Sequence, residues 1–225
     1  MDGTRFDPGS RSRLTTRDLP RFDGATLFDR VARAVCRASC LPRKELYESW
    51  EVARRVRRRF RGGRVVDLAC GHGLIAALMV ILDDSSPDAI AVDRMTPASV
   101  SPLWDELLAD WPRLAGRVRH VEGDVGEVPI TASDVVVSAH ACGALTDVVI
   151  ERTVTARARL GVLPCCHDEA TCDLGGLGGW LDPATAIDAT RVARLRASGY
   201  EVHTQVIPEA ITPKNRLLLA TPIRG

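Results

Sequence analysis

Residues 65–76 read Val-Val-Asp-Leu-Ala-Cys-Gly-His-Gly-Leu-Ile-Ala, an apolar run that breaks at two glycines and resumes with helical character. Gly71 and Gly73 allow the backbone to turn tightly and a ligand to approach it closely. The helix that follows opens with N–H groups that have no partner inside the helix. The turn is therefore a ligand-binding point at the end of a strand. Twenty residues beyond Gly73 a second apolar run, Ala91-Val92, ends in Asp93. An acid in that place can hold both hydroxyls of a ribose. Strand, glycine turn, helix and acid-terminated strand together open a parallel α/β sheet.

The chain beyond Gly63 keeps that rhythm. Short apolar runs at 64–68, 89–92, 118–121, 134–138 and 160–163 alternate with helical stretches, which predicts a parallel sheet covered by helices on both faces. The C-terminal part differs. A helix at 183–198 leads to strands at 201–207 and 216–220, close enough to pair as an antiparallel hairpin with a long loop. Upstream, residues 1–22 are polar and carry Pro8, Gly9 and Pro20, which predicts a flexible segment. Two helices follow in 23–62. One spans 25–39, with Leu27, Phe28, Val31, Ala32 and Val35 at helical spacing; the other begins after Pro42 and stops at Gly62-Gly63. Tyr47 and Trp50 on the second either cover the ligand mouth or form the seam to the sheet domain, 63–225.

Two cofactors suit the glycine turn. Gly71-x-Gly73-x-x-Ala76 satisfies the dinucleotide fingerprint, which would make the chain an NAD-dependent oxidoreductase. Read from Asp67, the turn is Asp67-x-Ala69-x-Gly71-x-Gly73, which resembles motif I of the class I S-adenosylmethionine (SAM) methyltransferases. Asp67 decides for SAM, because the strand before a dinucleotide turn is usually apolar. The resemblance implies a Rossmann-like seven-stranded, mostly parallel sheet with a C-terminal antiparallel hairpin, here with an N-terminal helical extension. It also implies that Asp67, Ala69, Gly71, Gly73, Asp93 and Asp124 bind SAM. Asp67 would lie near the methionine amino group and Asp124 near the adenine amino group.

The fourth and fifth predicted strands run into polar clusters: Ser138-Ala139-His140-Ala141-Cys142-Gly143-Ala144-Leu145-Thr146-Asp147 and Leu163-Pro164-Cys165-Cys166-His167. Ligands of doubly wound sheets sit outside the carboxyl ends of the strands, so both clusters face one crevice. His-x-Cys-Gly-x-x-Thr-Asp followed by Pro-Cys-Cys-His resembles the methyltransferase family that contains the tRNA acceptor-stem ribose 2′-O-methyltransferases. With motif I the likeness spans residues 64–170. It implies methyl transfer to RNA, with His140, His167, Cys165 and Cys166 as candidate catalytic residues. Either histidine could take a hydroxyl proton. A zinc site built from His140, Cys142, Cys165 or Cys166, and His167 is the rival reading, and Cys142 and Cys165 as small buried residues is the third. No other metal site is expected. The glycine-rich loop 168–182 reads as a lid or as a surface insertion, with Trp180 stacking on a base or anchoring the loop. Lys214 and Asn215 before the last strand touch substrate or cap the hairpin.

Charge bears on the partner. The net +1 over 225 residues conceals 17 Lys+Arg against 8 Asp+Glu in residues 1–64, and an acidic remainder. Arg54 to Arg64 supply seven arginines, readable as a phosphate-binding arm for RNA or as a solvated helix face. A small-molecule acceptor suits the acidic body equally, and a non-catalytic RNA- or metal-binding module is the alternative of a different class. The longest apolar run, 74–82, falls short of the about 20 residues that span a bilayer, and the Arg-rich start lacks a secretory core. Seven cysteines, two of them adjacent, suit reduced thiols and a cytoplasmic protein without a membrane partner. Nothing in the sequence speaks to oligomeric state.

Overall fold

A computed structural model describes residues 6–223. Seven strands form one sheet: β1 (Val65–Leu68), β2 (Ala89–Asp93), β3 (Val118–Glu122), β4 (Val135–Ser138), β5 (Arg159–Val162), β6 (Tyr200–Val206) and β7 (Arg216–Pro222). Their order across the sheet is β3-β2-β1-β4-β5-β7-β6. The first five pair in parallel. β7 runs antiparallel between β5 and β6, so the expected hairpin forms and its second strand is the one that joins the sheet.

The helices are α1 (Leu27–Ala38), α2 (Arg43–Arg59), α3 (Leu74–Leu82), α4 (Val100–Asp110), α5 (Leu145–Ala156) and α6 (Pro183–Ala197). Strand residues alternate between two cores, as a two-residue period demands. Val65, Ala89, Val135 and Leu217 join the core shared with α1 to α4, and Val66, Ile90, Val136 and Leu218 join the core beneath α5 and α6.

α3 explains the N-terminal extension. Its residues Leu74 to Ile81 are all buried, and an all-apolar helix must be covered on both sides. The sheet covers one side and α2 the other. α1 lies against α4, and Phe28 packs on Tyr47 and Trp50 at ring separations of 5.0 and 5.2 Å. Those two aromatics therefore join α2 to α1 within the N-terminal extension.

Residues 6–22 differ from the expected flexible segment, of which residues 1–5 lie outside the described residues. Leu14 and Phe22 are buried, residues Thr16–Phe22 form a 3₁₀ helix, and Arg13 bridges Pro42 in antiparallel fashion. Phe6 stacks edge-on against Phe22 and lies 3.6 Å beneath the Arg43 guanidinium. Three single anchors eight residues apart, each set among polar residues, make no helical or strand run to read, yet all three pack on the core of the N-terminal helices.

Candidate functional site

The glycine turn follows β1 with the backbone left-handed at Ala69, Gly71 and Gly73, at φ 53°, 56° and 74°. A side chain at Gly73 would bring its Cβ to 2.9 Å from the Ala91 Cβ and 3.2 Å from the Trp104 ring. Glycine is required there on both counts. Four residues outside the motif clamp the turn. His120 Nε2 lies 3.0 Å from the Gly71 carbonyl, and the Trp104 indole donates to the His72 carbonyl at 3.1 Å. His72 itself is held between Glu45 of α2 at 3.3 Å and Ser99 at 2.9 Å. His120, Trp104 and Glu45 carry no sequence signal, because each reaches the turn from a different element.

Asp67 is fully buried. Its Oδ2 accepts from the Ala76 N–H at 3.1 Å, inside the first turn of α3, and its Oδ1 has no partner. Burial pushes this carboxyl up to about 8, and the neighbouring Asp93 adds to the rise. An orphaned buried oxygen asks for a polar ligand group. Asp93 ends β2 and accepts from the Gly71 N–H and the Arg94 N–H, both at 2.8 Å. Each oxygen retains a free lone pair. Beside it opens a cleft of about 340 Å³ lined by Ala69, Asp93, Arg94, Val125, Leu145 and Val148. Asp124 is exposed, and the Gly126 N–H and Arg94 hold its carboxyl below the usual range. These features fit a nucleoside-bearing cofactor: an acid for its ribose, apolar walls for its base, and a buried acceptor at the turn.

His140 borders the turn. A Cβ at Gly71 would lie 3.8 Å from the His140 ring and 4.0 Å from Glu45. His167 is placed differently. Its side chain is 5% exposed, and its Nε2 is bonded to Asp188 at 2.9 Å. Asp188 also takes Arg216 at 2.7 Å and Arg191 at 3.3 Å, while Arg191 grips Asp147 and the Gly143 carbonyl. Thr146 donates to the Ala141 carbonyl at 2.6 Å. Asp147, the Gly143 carbonyl and His167 thus tie the β4 and β5 loops to α6, and Thr146 closes the β4 loop onto the start of α5. Asp188, Arg191 and Arg216 complete the network and were invisible in the sequence.

The three cysteines converge. Cys142 is exposed and Cys165 half-buried, which removes the reading of both as buried packing residues. The Sγ atoms of Cys142, Cys165 and Cys166 form one close group, without a histidine among the described residues. Lys214 is exposed, and its charge reaches Cys142 and Cys166. Asn215 donates to the Ile207 carbonyl at 3.1 Å and so caps the hairpin. Trp180 is 85% exposed on its glycine-rich loop.

The arginine arm is paired within the molecule. Arg54 and Arg55 bind Glu51, Arg59 binds Glu201, Arg61 lies near Asp83, and Arg64 binds Asp134. Arg57 is buried and donates to the Met79 carbonyl and to Ser86. Only Arg58 of the seven makes no such contact among the described residues. Of the two readings of the arm, the structure shows a helix face whose arginines mostly pair with acids of the same chain. All seven cysteines are free thiols, and no helix among the described residues is long and apolar enough to cross a membrane.

Known structures share this architecture. An O-methyltransferase family protein from Burkholderia thailandensis superposes with a TM-score of 0.54 at 18% identity, over 92% of this chain and 63% of that one. The fold is that of the class I methyltransferases. The Bacillus subtilis m1A22 tRNA methyltransferase TrmK gives 0.51 at 18% identity, over 78% of this chain and 65% of its own. Precorrin-6y C5,15-methyltransferase from Geobacter metallireducens gives 0.51 at 14% identity, over 79% and 88%. The chain spans less than two thirds of the length of the first two of these proteins, 63% and 65%. No protein-family profile and no curated protein matches the sequence.

Proposed function

We propose that the chain is a SAM-dependent methyltransferase whose acceptor enters beside His140 at the carboxyl ends of β4 and β5. The observation that carries this reading is the pair of acids at the glycine turn: Asp67, buried with one oxygen unpartnered, and Asp93, held against the Gly71 N–H. Asp67 and the turn would hold the methionine end, Asp93 the ribose, and Val125 with Leu145 the base. Bound there, SAM supplies an electrophilic methyl group on a sulfonium.

The chain's own contribution is then positioning and proton removal. His140, half-buried against the turn, is the group placed to take the acceptor's proton. His167 is a positioning residue in this reading, because its Nε2 is committed to Asp188. Cys165 and Cys166 lie with Cys142 at the mouth of the same crevice. A dinucleotide would need a second nucleotide site, and the sequence offers no second motif for one.

RNA is the first acceptor class. It is supported by the likeness of the His140–Asp147 and Pro164–His167 motifs, the exposed Trp180 as a stacking surface, and Lys214 as a cation at the crevice. A small-molecule acceptor is the second, favoured by the internal pairing of the arginine arm. Calorimetry with SAM and with NADH tests the cofactor; binding of NADH without SAM would overturn the reading. Transfer of labelled methyl from SAM into fractionated cell extract tests the acceptor, and label confined to small molecules would remove RNA.

A further inference from the structure

The three thiols at the crevice have a geometry that the methyl-transfer reading does not use. Cys142 follows β4, and Cys165 and Cys166 follow β5, strands paired in parallel up to Ser138 and Val162. The Sγ atoms of Cys142 and Cys165 are 3.2 Å apart, those of Cys142 and Cys166 3.3 Å, and those of Cys165 and Cys166 3.8 Å. A disulfide would bring one pair to about 2.05 Å and leave the third sulfur out. A tetrahedral zinc ion with Zn–S near 2.3 Å places its sulfurs about 3.8 Å apart. The three sulfurs already stand within roughly half an ångström of that spacing.

We propose that Cys142, Cys165 and Cys166 bind one zinc ion through three thiolates and leave its fourth position open. The ligand set excludes both histidines of the motifs. His167 is held by Asp188, and His140 lies against the glycine turn. The loops that carry the sulfurs are fixed before any metal arrives. Arg191, 1% exposed, holds Asp147 and the Gly143 carbonyl on the Cys142 side, and Asp188 holds His167 next to Cys166. Three thiolates around a divalent ion carry one net negative charge, and the positive charges of Lys214 and Lys44 act on Cys166.

Zinc sites with three protein ligands keep the fourth for water or substrate. This one opens at the same strand ends as His140. The structure therefore points to a metal that binds the oxygen or sulfur of the acceptor that is to be methylated. That role rests on the methyltransferase reading; the metal binding does not.

The test uses the full chain, reduced and stripped of metal. Titration with zinc should show one equivalent bound per chain. Cobalt in its place should give the charge-transfer and intensified visible bands of tetrahedral thiolate coordination. X-ray absorption at the zinc edge of the unmutated protein should show three sulfurs near 2.3 Å and one lighter neighbour. C142S and C166S should each weaken zinc by at least about 100-fold, since loss of an outer partner alone costs about 10–100-fold. C40A, remote on the N-terminal extension, should leave it unchanged.

No stoichiometric uptake, imidazole in the edge spectrum, or binding that survives C166S would overturn the site. Cofactor affinity is measured on the same sample. A chain that binds SAM but no zinc overturns the site and leaves the methyltransferase reading standing. Zinc uptake by a chain that binds no SAM supports the site and overturns that reading.

Discussion

Arg191 donates to both carboxylate oxygens of Asp147, at 3.0 and 2.8 Å, across 44 residues of sequence. The guanidinium is 1% exposed, so the pair lies in a setting where removing one partner strands the other. Breaking such a pair typically costs about 3–5 kcal/mol. Arg191→Leu should lower the unfolding free energy by that amount in denaturant titration. It should also loosen the β4 and β5 loops, read as faster alkylation of Cys142 and Cys166 in the still-folded fraction. Unchanged alkylation would mean that the pair serves stability alone.

Asp67 makes stability depend on pH in a direction opposite to most carboxylates. Its folded-state value, pushed up to about 8 by burial, means that the folded chain keeps a proton which the unfolded chain releases. Its contribution is complete below the ordinary carboxylate range near ~4 and is lost as pH rises towards ~8. Glu51, Asp83 and Asp188 have lowered values and act in the reverse sense at lower pH. The comparison that isolates Asp67 is therefore wild type against Asp67→Asn, without cofactor. The difference in unfolding free energy should move in favour of the variant between about pH 4 and 8. A difference that stays flat would show that Asp67 is ionised in the folded chain.

Gly73→Ala puts a side chain on a left-handed residue with Ala91 already at the Cβ position, 2.9 Å away. The backbone alone disfavours the change by about 1–2 kcal/mol. Asp93→Ala, in contrast, removes an acceptor at the carboxyl end of β2. Calorimetry should show SAM affinity falling by at least about tenfold, or about 1.4 kcal/mol, for Asp93→Ala. Its thermal midpoint should move less than that of Gly73→Ala. Full SAM affinity in Asp93→Ala would remove that acid from the cofactor site.

The arginine arm offers an internal contrast. Arg57 is buried and binds Met79, Ser86 and Asp83, joining the end of α2 to the end of α3. Arg58, next to it, is exposed. Arg57→Ala should cost about 3–5 kcal/mol of stability, and Arg58→Ala should stay within about 0.5 kcal/mol. Because the other arginines are already paired, the salt dependence of RNA binding should change little on Arg58→Gln. A marked flattening would restore the arm as a phosphate contact.

What the sequence determined by itself is local. Short apolar runs made the strands readable, a glycine pair marked the turn, and acids after apolar runs marked Asp93 and Asp124. Each signal arises within a few residues, because backbone conformation and strand alternation are set by neighbours. The anchors Phe6, Leu14 and Phe22 escaped because each stands alone among polar residues, outside any apolar run. The sorting of the motif residues needed the tertiary structure. Cys142 meets Cys165 across 23 residues, His167 meets Asp188 across 21, and Arg59 meets Glu201 across 142. Such contacts depend on which strands lie side by side and on where α2 and α6 pack. Spacing alone therefore joined the histidines to the cysteines and left the arginines free, whereas the fold set the sulfurs together, drew His167 into an ion-pair network and neutralised the arm.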